Sequence, residues 1–214
     1  MIPIISIIIF VIAGIIVLVA LASKYESKQK IDIEQLWGNK GFFAHISEKK
    51  VLGFNTKNIV AVKSSDKYCL VGANWVVSTG KTTIPYWGVA ILLRQIDFPK
   101  FSISKRKPWI FDGGRVKFND FELDKMITVK CKDKDWFPIY FSEGLLRQIA
   151  EMMPKGTIIH QVKRIPVNFS DLSELTGFEL SPFVIVQRTE TINSSKHVDS
   201  VVNIAEQLGK MLSR

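Results

Sequence analysis

Hydrophobic and polar positions divide the chain into three stretches of different period. The first has no period. "IPIISIIIFVIAGIIVLVALAS", residues 2–23, is apolar throughout and carries no formal charge. As a helix rising about 1.5 Å per residue it reaches ~33 Å, enough to cross a hydrocarbon core of ~30 Å. Core helices rarely stay apolar on every face for this length, and only a helix satisfies a single segment's backbone in lipid. The run predicts a transmembrane segment. "ALA" at 20–22 fits a signal-peptidase site. However, the segment lacks a basic leader and outruns the usual hydrophobic stretch of a signal, so an uncleaved anchor is expected.

"KYESKQK", residues 24–30, is a polar neck, and residues 31–214 form the third stretch, read as an α+β domain. "IEQLWGNKG" suggests a short helix that Gly38 or Gly41 ends. Strand patterns follow in "FFAHI", "VLGF", "KNIVAVK", "KYCLVGANWVV" and "TTIPYWGVAILLRQ". The last two are joined through "STGK", which suits a hairpin. "FPKFSIS" (98–104) reads as an edge segment, because Pro99 cannot donate to a ladder. "KRKPWIFDGG" reads as a loop.

Residues 116–152 concentrate charge and aromatics. Asp120, Glu122 and Asp124 alternate with Phe121 and Leu123 as on a strand with one solvated face. "ITVKCKD" also has period two, with Ile127, Val129 and Cys131 on one face and Thr128, Lys130 and Lys132 on the other. A helix near 139–153 follows Pro138, with Leu145, Leu146, Ile149, Met152 and Met153 inward. "GTIIHQVK" and "PFVIVQRT" are strands. The chain closes on an amphipathic helix bearing Val198, Val201, Val202, Ala205, Leu208 and Leu212 at helical spacing, a face expected to pack on the sheet. Short connections favour antiparallel pairing. The expected fold is therefore one transmembrane helix followed by a mostly antiparallel sheet packed by two or three helices. Whether the sheet is continuous or splits near 105–115 is open at this level.

Charge refines the picture. The net formal charge is +9, and none of it comes from residues 2–23. Lys24, Lys28 and Lys30 flank the apolar run on its C-terminal side only. The positive-inside rule therefore predicts a single-pass protein of the cell membrane, N-terminus outside and domain in the cytoplasm. Two cysteines 62 residues apart suit a reducing compartment. Lysines near an anionic leaflet gain ~1 kcal/mol each, which accounts for a basic domain on a tether. Nucleic acid is disfavoured, because no arginine-rich run, RNP-like motif or helix-turn-helix pattern occurs.

Candidate chemistry is sparse. "STGKTT" lacks the glycine that a phosphate loop needs before its Gly-Lys pair, and it joins two strands. His45, His160 and His197 have no cysteine or carboxylate at metal-ligand spacing, so no metal or cofactor is expected. Cys131 faces inward without a basic neighbour on its face, which leaves the thiol inert. Asp120, Glu122 and Asp124 are the only carboxylates placed to be argued as acid/base groups, and no residue is assigned a catalytic role. Tyr86, Trp87, Trp109 and Trp136 are candidates for an aromatic ligand pocket. The lysines Lys130, Lys132 and Lys134 form the candidate contact to an anionic surface.

The order of pieces resembles a broad class of uncharacterised bacterial membrane-anchored proteins with an α+β domain. The resemblance rests on Phe98-Pro99-Lys100-Phe101 after the long hairpin, on Asp133 or Asp135 beyond the strand, and on Phe141-Ser142 at a helix start. It spans about residues 31–212. The acidic "FDY.Y" run usual before the hairpin reads "SSDKYCL" here. The resemblance implies architecture and membrane attachment, and it brings no catalytic residue. The expected function is a membrane-anchored, non-enzymatic binding or scaffolding protein, in one version an accessory subunit of a membrane complex, with the bilayer, a protein of that complex and an anionic lipid surface as candidate partners. The alternatives are a membrane-bound hydrolase or transferase acting on anionic lipid or glycan, and a receptor domain for a small ligand.

Overall fold

The computed structural model describes residues 37–51, 54–78, 83–94, 98–106, 115–162, 176–178, 183–189 and 195–213. The expected anchor (2–23), the neck (24–30) and the loop at 107–114 lie outside the described residues. Among the described residues, no helix is long and apolar enough to cross a membrane.

Twelve elements are described. β1 (Phe43–Val51), β2 (Phe54–Ser64), β3 (Tyr68–Ser78), β4 (Thr83–Leu93) and β5 (Phe101–Lys105) precede α1 (Phe121–Met126). Then come β6 (Ile127–Cys131), α2 (Trp136–Tyr140), α3 (Glu143–Met152), β7 (Thr157–Val162), β8 (Phe183–Thr189) and α4 (Ser195–Leu212). The strands form one continuous eight-stranded sheet in the order β1-β2-β3-β4-β8-β7-β5-β6, with every described pairing antiparallel. The expected α+β class with an antiparallel sheet is the observed one. β3 and β4 pair from Ser78↔Thr83 down to Tyr68↔Leu93, which is a hairpin and no phosphate-loop scaffold.

Sheet periodicity sorts side chains onto two faces. Leu70, Val89, Ile91, Ile103, Val129, Ile159 and Val186 face the helices, where Leu123, Phe137, Leu146, Ile149, Val201, Ala205 and Leu208 complete the main core. α4 lies across β3, β4 and β8 on this side, as its 3.6-residue apolar period predicts. The opposite face has its own apolar centre, with Val60, Val62, Val71, Ala90, Leu92 and Ile185 packed with Phe178. Central strands buried on both faces read as near-continuous apolar runs, which is the texture of "YCLVGA" and "WGVAILL".

Three sequence-based expectations are corrected. Residues 121–126 are helical. Asp120 is the N-cap, its Oδ1 accepting from Glu122 N at 3.0 Å and Leu123 N at 3.1 Å, with Glu122 and Asp124 in the first turn. These are helix-start signals, since acidic side chains answer the unpaired N–H groups there. Leu123 is fully buried and Phe121 is 70% exposed, so the two do not share an inward face. β5 is no edge strand, because it lies between β6 and β7. Pro99 precedes its first ladder residue and so costs it no hydrogen bond.

The helix expected near 139–153 is two helices. Pro138 lies in the first turn of α2, where its missing N–H has no intrahelical acceptor anyway. Phe141 then leaves helical geometry, and Ser142 caps α3 by accepting from Leu145 N at 3.3 Å. Phe137 and Phe141 stack at 4.3 Å across the break.

Upstream of β1, Trp37 is buried over Gly72, where an added Cβ would come within 2.8 Å of the indole ring. Gly41, at φ 74°, turns the chain into β1. Lys40 pairs with Asp199 at 2.5 Å, and Lys63 bridges the Lys40 carbonyl and Glu206, so this segment is fastened to α4.

Candidate functional site

One register line crosses the face that carries Val62, Val71 and Phe178: Phe43↔Val62, Val62↔Val71, Val71↔Ala90, Ala90↔Ile185, Ile185↔His160, His160↔Ser102, Ser102↔Lys130. Directly paired residues project to the same face, so this row is apolar at its centre and basic at its β6 end. Two residues along, Lys100 and Lys132 lie side by side, joined through Lys132 N donating to the Lys100 carbonyl at 3.0 Å. Lys100, Ser102, Lys130, Lys132 and His160 line a concavity of about 500 Å³.

The local reason is alternation. Phe101, Ile103, Val129, Cys131 and Ile159 turn toward the helices and sink, which lifts Lys100, Ser102, Lys130, Lys132 and His160 to the other side. On the helix side Lys40, Lys63 and Lys125 are ion-paired. Among the described residues, Lys100, Lys130 and Lys132 have no carboxylate partner. The nearby Asp133 is occupied, its Oδ1 accepting from Asp135 N and Trp136 N at the start of α2.

Burial holds the His160 imidazole below the ordinary histidine range. The Gln187 side chain opposes this and the Lys100 charge reinforces it. Its Nε2 is buried and has no hydrogen-bond partner among the described residues. Ammonium groups without a carboxylate partner among the described residues, set around a hydroxyl, match an anion with several oxygens, since charge-assisted hydrogen bonds are the strong ones. Covalent chemistry fits poorly. The one thiol in the lining, Cys131, is 8% exposed, and burial first and the Asp133 charge second push it up from the ordinary thiol range.

The other sequence candidates fall as follows. Lys130 and Lys132 meet in the concavity, whereas Lys134 sits exposed in the following turn, outside its lining. Lys24, Lys28 and Lys30 lie outside the described residues. Asp120 pairs with Arg147 and caps α1. Those backbone and guanidinium contacts hold its carboxyl below the usual range, the Leu123 N–H contributing most. A carboxylate kept ionised by a cap is a structural group and a poor general acid. Glu122 pairs with Lys125 and Asp124 with Arg115, so the three acids do not converge on one cleft. His160 and His197 stand on opposite sides of the sheet. No three His, Cys, Asp or Glu residues gather to hold a metal among the described residues.

The three described members of the aromatic set, Tyr86, Trp87 and Trp136, do not share a pocket. Trp87 is buried in the main core, Tyr86 packs on the other face, and Trp109 lies outside the described residues. Trp136 instead stacks with Tyr140 at 4.6 Å and Phe98 at 5.7 Å. With Leu93, Ile139, Met211 and Leu212 they wall a groove of about 790 Å³, rimmed by Asp66, Lys67 and Arg94.

The sequence does not mark Lys100 and His160 as members of a basic site. Their outward direction is legible in "FSI" and "TIIHQV", but the register that sets both beside Lys130 is not.

No known protein family matches the chain, and no curated protein sequence matches it. Among solved structures, the mycobacterial trehalose monomycolate transport factor A is similar at a TM-score of 0.44, with 10% identity, covering 84% of this chain and 91% of that one. At that distance the likeness carries no inference.

Proposed function

We infer that this protein is a membrane-anchored, non-enzymatic binding domain whose basic concavity holds an oxygen-rich anion of the phosphate class. The observation that supports this reading is the row Lys130–Ser102–His160 with Lys100 and Lys132 beside it, three cations without a carboxylate partner among the described residues and an imidazole around one concavity. Like charges this close repel, and an anion relieves the repulsion. Residues 2–23 supply the anchor, and their apolar length supports it. Free phosphate and a phosphorylated headgroup share the chemistry that this site recognises.

The test is ligand-linked stabilisation of the full chain in a neutral detergent. Inorganic phosphate, sulfate and a water-soluble glycerophosphate headgroup are titrated against thermal unfolding, because a ligand that binds only the native state raises its melting temperature. The same titration on K100E/K132E removes any general salt effect. Wild-type protein gains stability from the anions, and the charge-reversed variant loses at least about tenfold in apparent affinity, as expected for two partly exposed ion pairs turned repulsive. Equal responses of both proteins refute the site. A response to the headgroup alone assigns the ligand to lipid, and an equal response to inorganic phosphate assigns it to the free anion.

A further inference from the structure

Antiparallel order puts the starts of β1, β3, β5 and β8 at one end of the sheet, together with the ends of β2, β4, β6 and β7. At this lower end the β2–β3 turn carries Lys67, and Arg94 follows β4. Lys100 precedes β5, and Lys132 and Lys134 follow β6. Asp66, Asp133 and Asp135 lie at the same end, so among the described residues these five cations outnumber the three carboxylates. α2 also projects here, with Ile139 77% exposed and Tyr140 52% exposed beside the stacked Trp136. An exposed isoleucine next to aromatic rings, in a groove rimmed by Lys67 and Arg94, is costly to keep in water. It suits a bilayer interface, where amphipathic rings sit at headgroup level and basic side chains meet anionic lipid.

Chain continuity points the same way. Trp37 and Phe42 are pinned on the sheet just before β1 enters at Phe43, itself 77% exposed. Residues 24–36 therefore hold the domain within about 45 Å of the membrane even when fully extended.

We propose that the lower end of the sheet is the domain's seat on an anionic bilayer, with Ile139 and Tyr140 entering the interface and Lys100, Lys132 and Lys134 meeting lipid phosphates. This rests on the anchored reading above and gives the basic concavity its partner, the headgroup layer of the protein's own membrane. Phe121, 70% exposed on α1 beside the upper start of β6, stays in water.

The experiment places a nitroxide at I139C or at F121C of the full chain, which keeps its buried native thiols. The protein is reconstituted in nanodiscs of phosphatidylcholine alone or mixed with phosphatidylglycerol. Collision rates with oxygen and with a water-soluble nickel chelate report depth. The expected result is a several-fold fall in nickel accessibility at 139 when anionic lipid is present and no change at 121. K132E/K134E should abolish the lipid dependence. A label at 139 as open to nickel as the label at 121 in both lipids overturns the proposal. Shielding at 139 that is independent of lipid charge also overturns it, and points to a protein partner on α2. Release of the full chain from membranes by alkaline carbonate overturns the anchor and the seat together, whereas a retained chain with an aqueous label removes the seat alone.

Discussion

Gly88→Ala probes the junction that joins the two parts of the sheet, because β4 pairs with β8 there and β8 carries β7, β5 and β6. A Cβ on Gly88 would lie 2.2 Å from the Val186 carbonyl oxygen and 2.8 Å from Gln187 Cα. Both are backbone atoms of the adjoining strand, so no side-chain rotation relieves the overlap. In an unhindered site the methyl group would help, since loss of unfolded-chain entropy is worth about 0.4–1 kcal/mol. Overpacking of a rigid interior costs about 1–3 kcal/mol. The overlap wins, and for a chain of this size the melting temperature falls by roughly 3–10 °C. Gly144→Ala is the matched control. It sits in the first turn of α3 with nothing within 4 Å of its added Cβ, so it should leave stability unchanged or raise it by up to about 1 kcal/mol. Near-UV circular dichroism of the full chain in detergent, followed through thermal unfolding, reads both. A Gly88→Ala protein as stable as wild type would falsify the close approach of β4 and β8, and with it the continuity of the sheet between β1–β4 and the remaining strands.

Other consequences follow from named contacts. Asp120→Ala removes the α1 cap and the Arg147 partner, so it lowers the melting temperature at neutral pH. Because the folded carboxyl titrates below its unfolded value of ~3.9, that contribution is present above this pH and fades as pH falls through the folded value. A deficit that persists undiminished in strong acid would contradict the assignment. Cys69 and Cys131 are buried thiols pushed up by burial, so a thiol reagent should react slowly with native protein and with two equivalents after denaturation. Fast native labelling of either contradicts the packing. His160 is held below its unfolded value, so the folded state prefers it neutral. Its contribution is present above pH ~6.5 and is lost as pH falls. A bound anion favours the protonated ring, so sulfate affinity should rise as acidification protonates His160 in the bound protein, and His160→Gln should flatten that rise. A wild-type profile as flat as the variant's would remove His160 from the site.

Much of the fold was legible because local chemistry agreed with tertiary structure. The β3–β4 hairpin announced itself by two apolar runs around "STGK", and α4 by a face that repeats through Val198, Val201, Ala205 and Leu208. The period of residues 120–126 was misread because Phe121 and Leu123 alternate with acids as on a strand. The decisive feature is Asp120 capping free N–H groups, a helix signal that outranks alternation over so few residues. The site was half legible. Alternation places Lys130 and Lys132 outward, but insertion of β8 between β4 and β7 and the adjacency of β5 to both β6 and β7 are long-range choices. Those choices, which no local period encodes, bring Lys100 and His160 to the same concavity.

The central claim is that the sheet's basic corner is a binding site for a phosphate-class anion. Equilibrium dialysis of labelled sulfate against the full chain near pH 6 tests it most directly. Wild-type protein should bind one sulfate per chain saturably, with the site lost in K100E/K132E and retained in K125E, whose lysine pairs with Glu122 on α1. Binding that is non-saturable, or that survives the charge reversal, would contradict it.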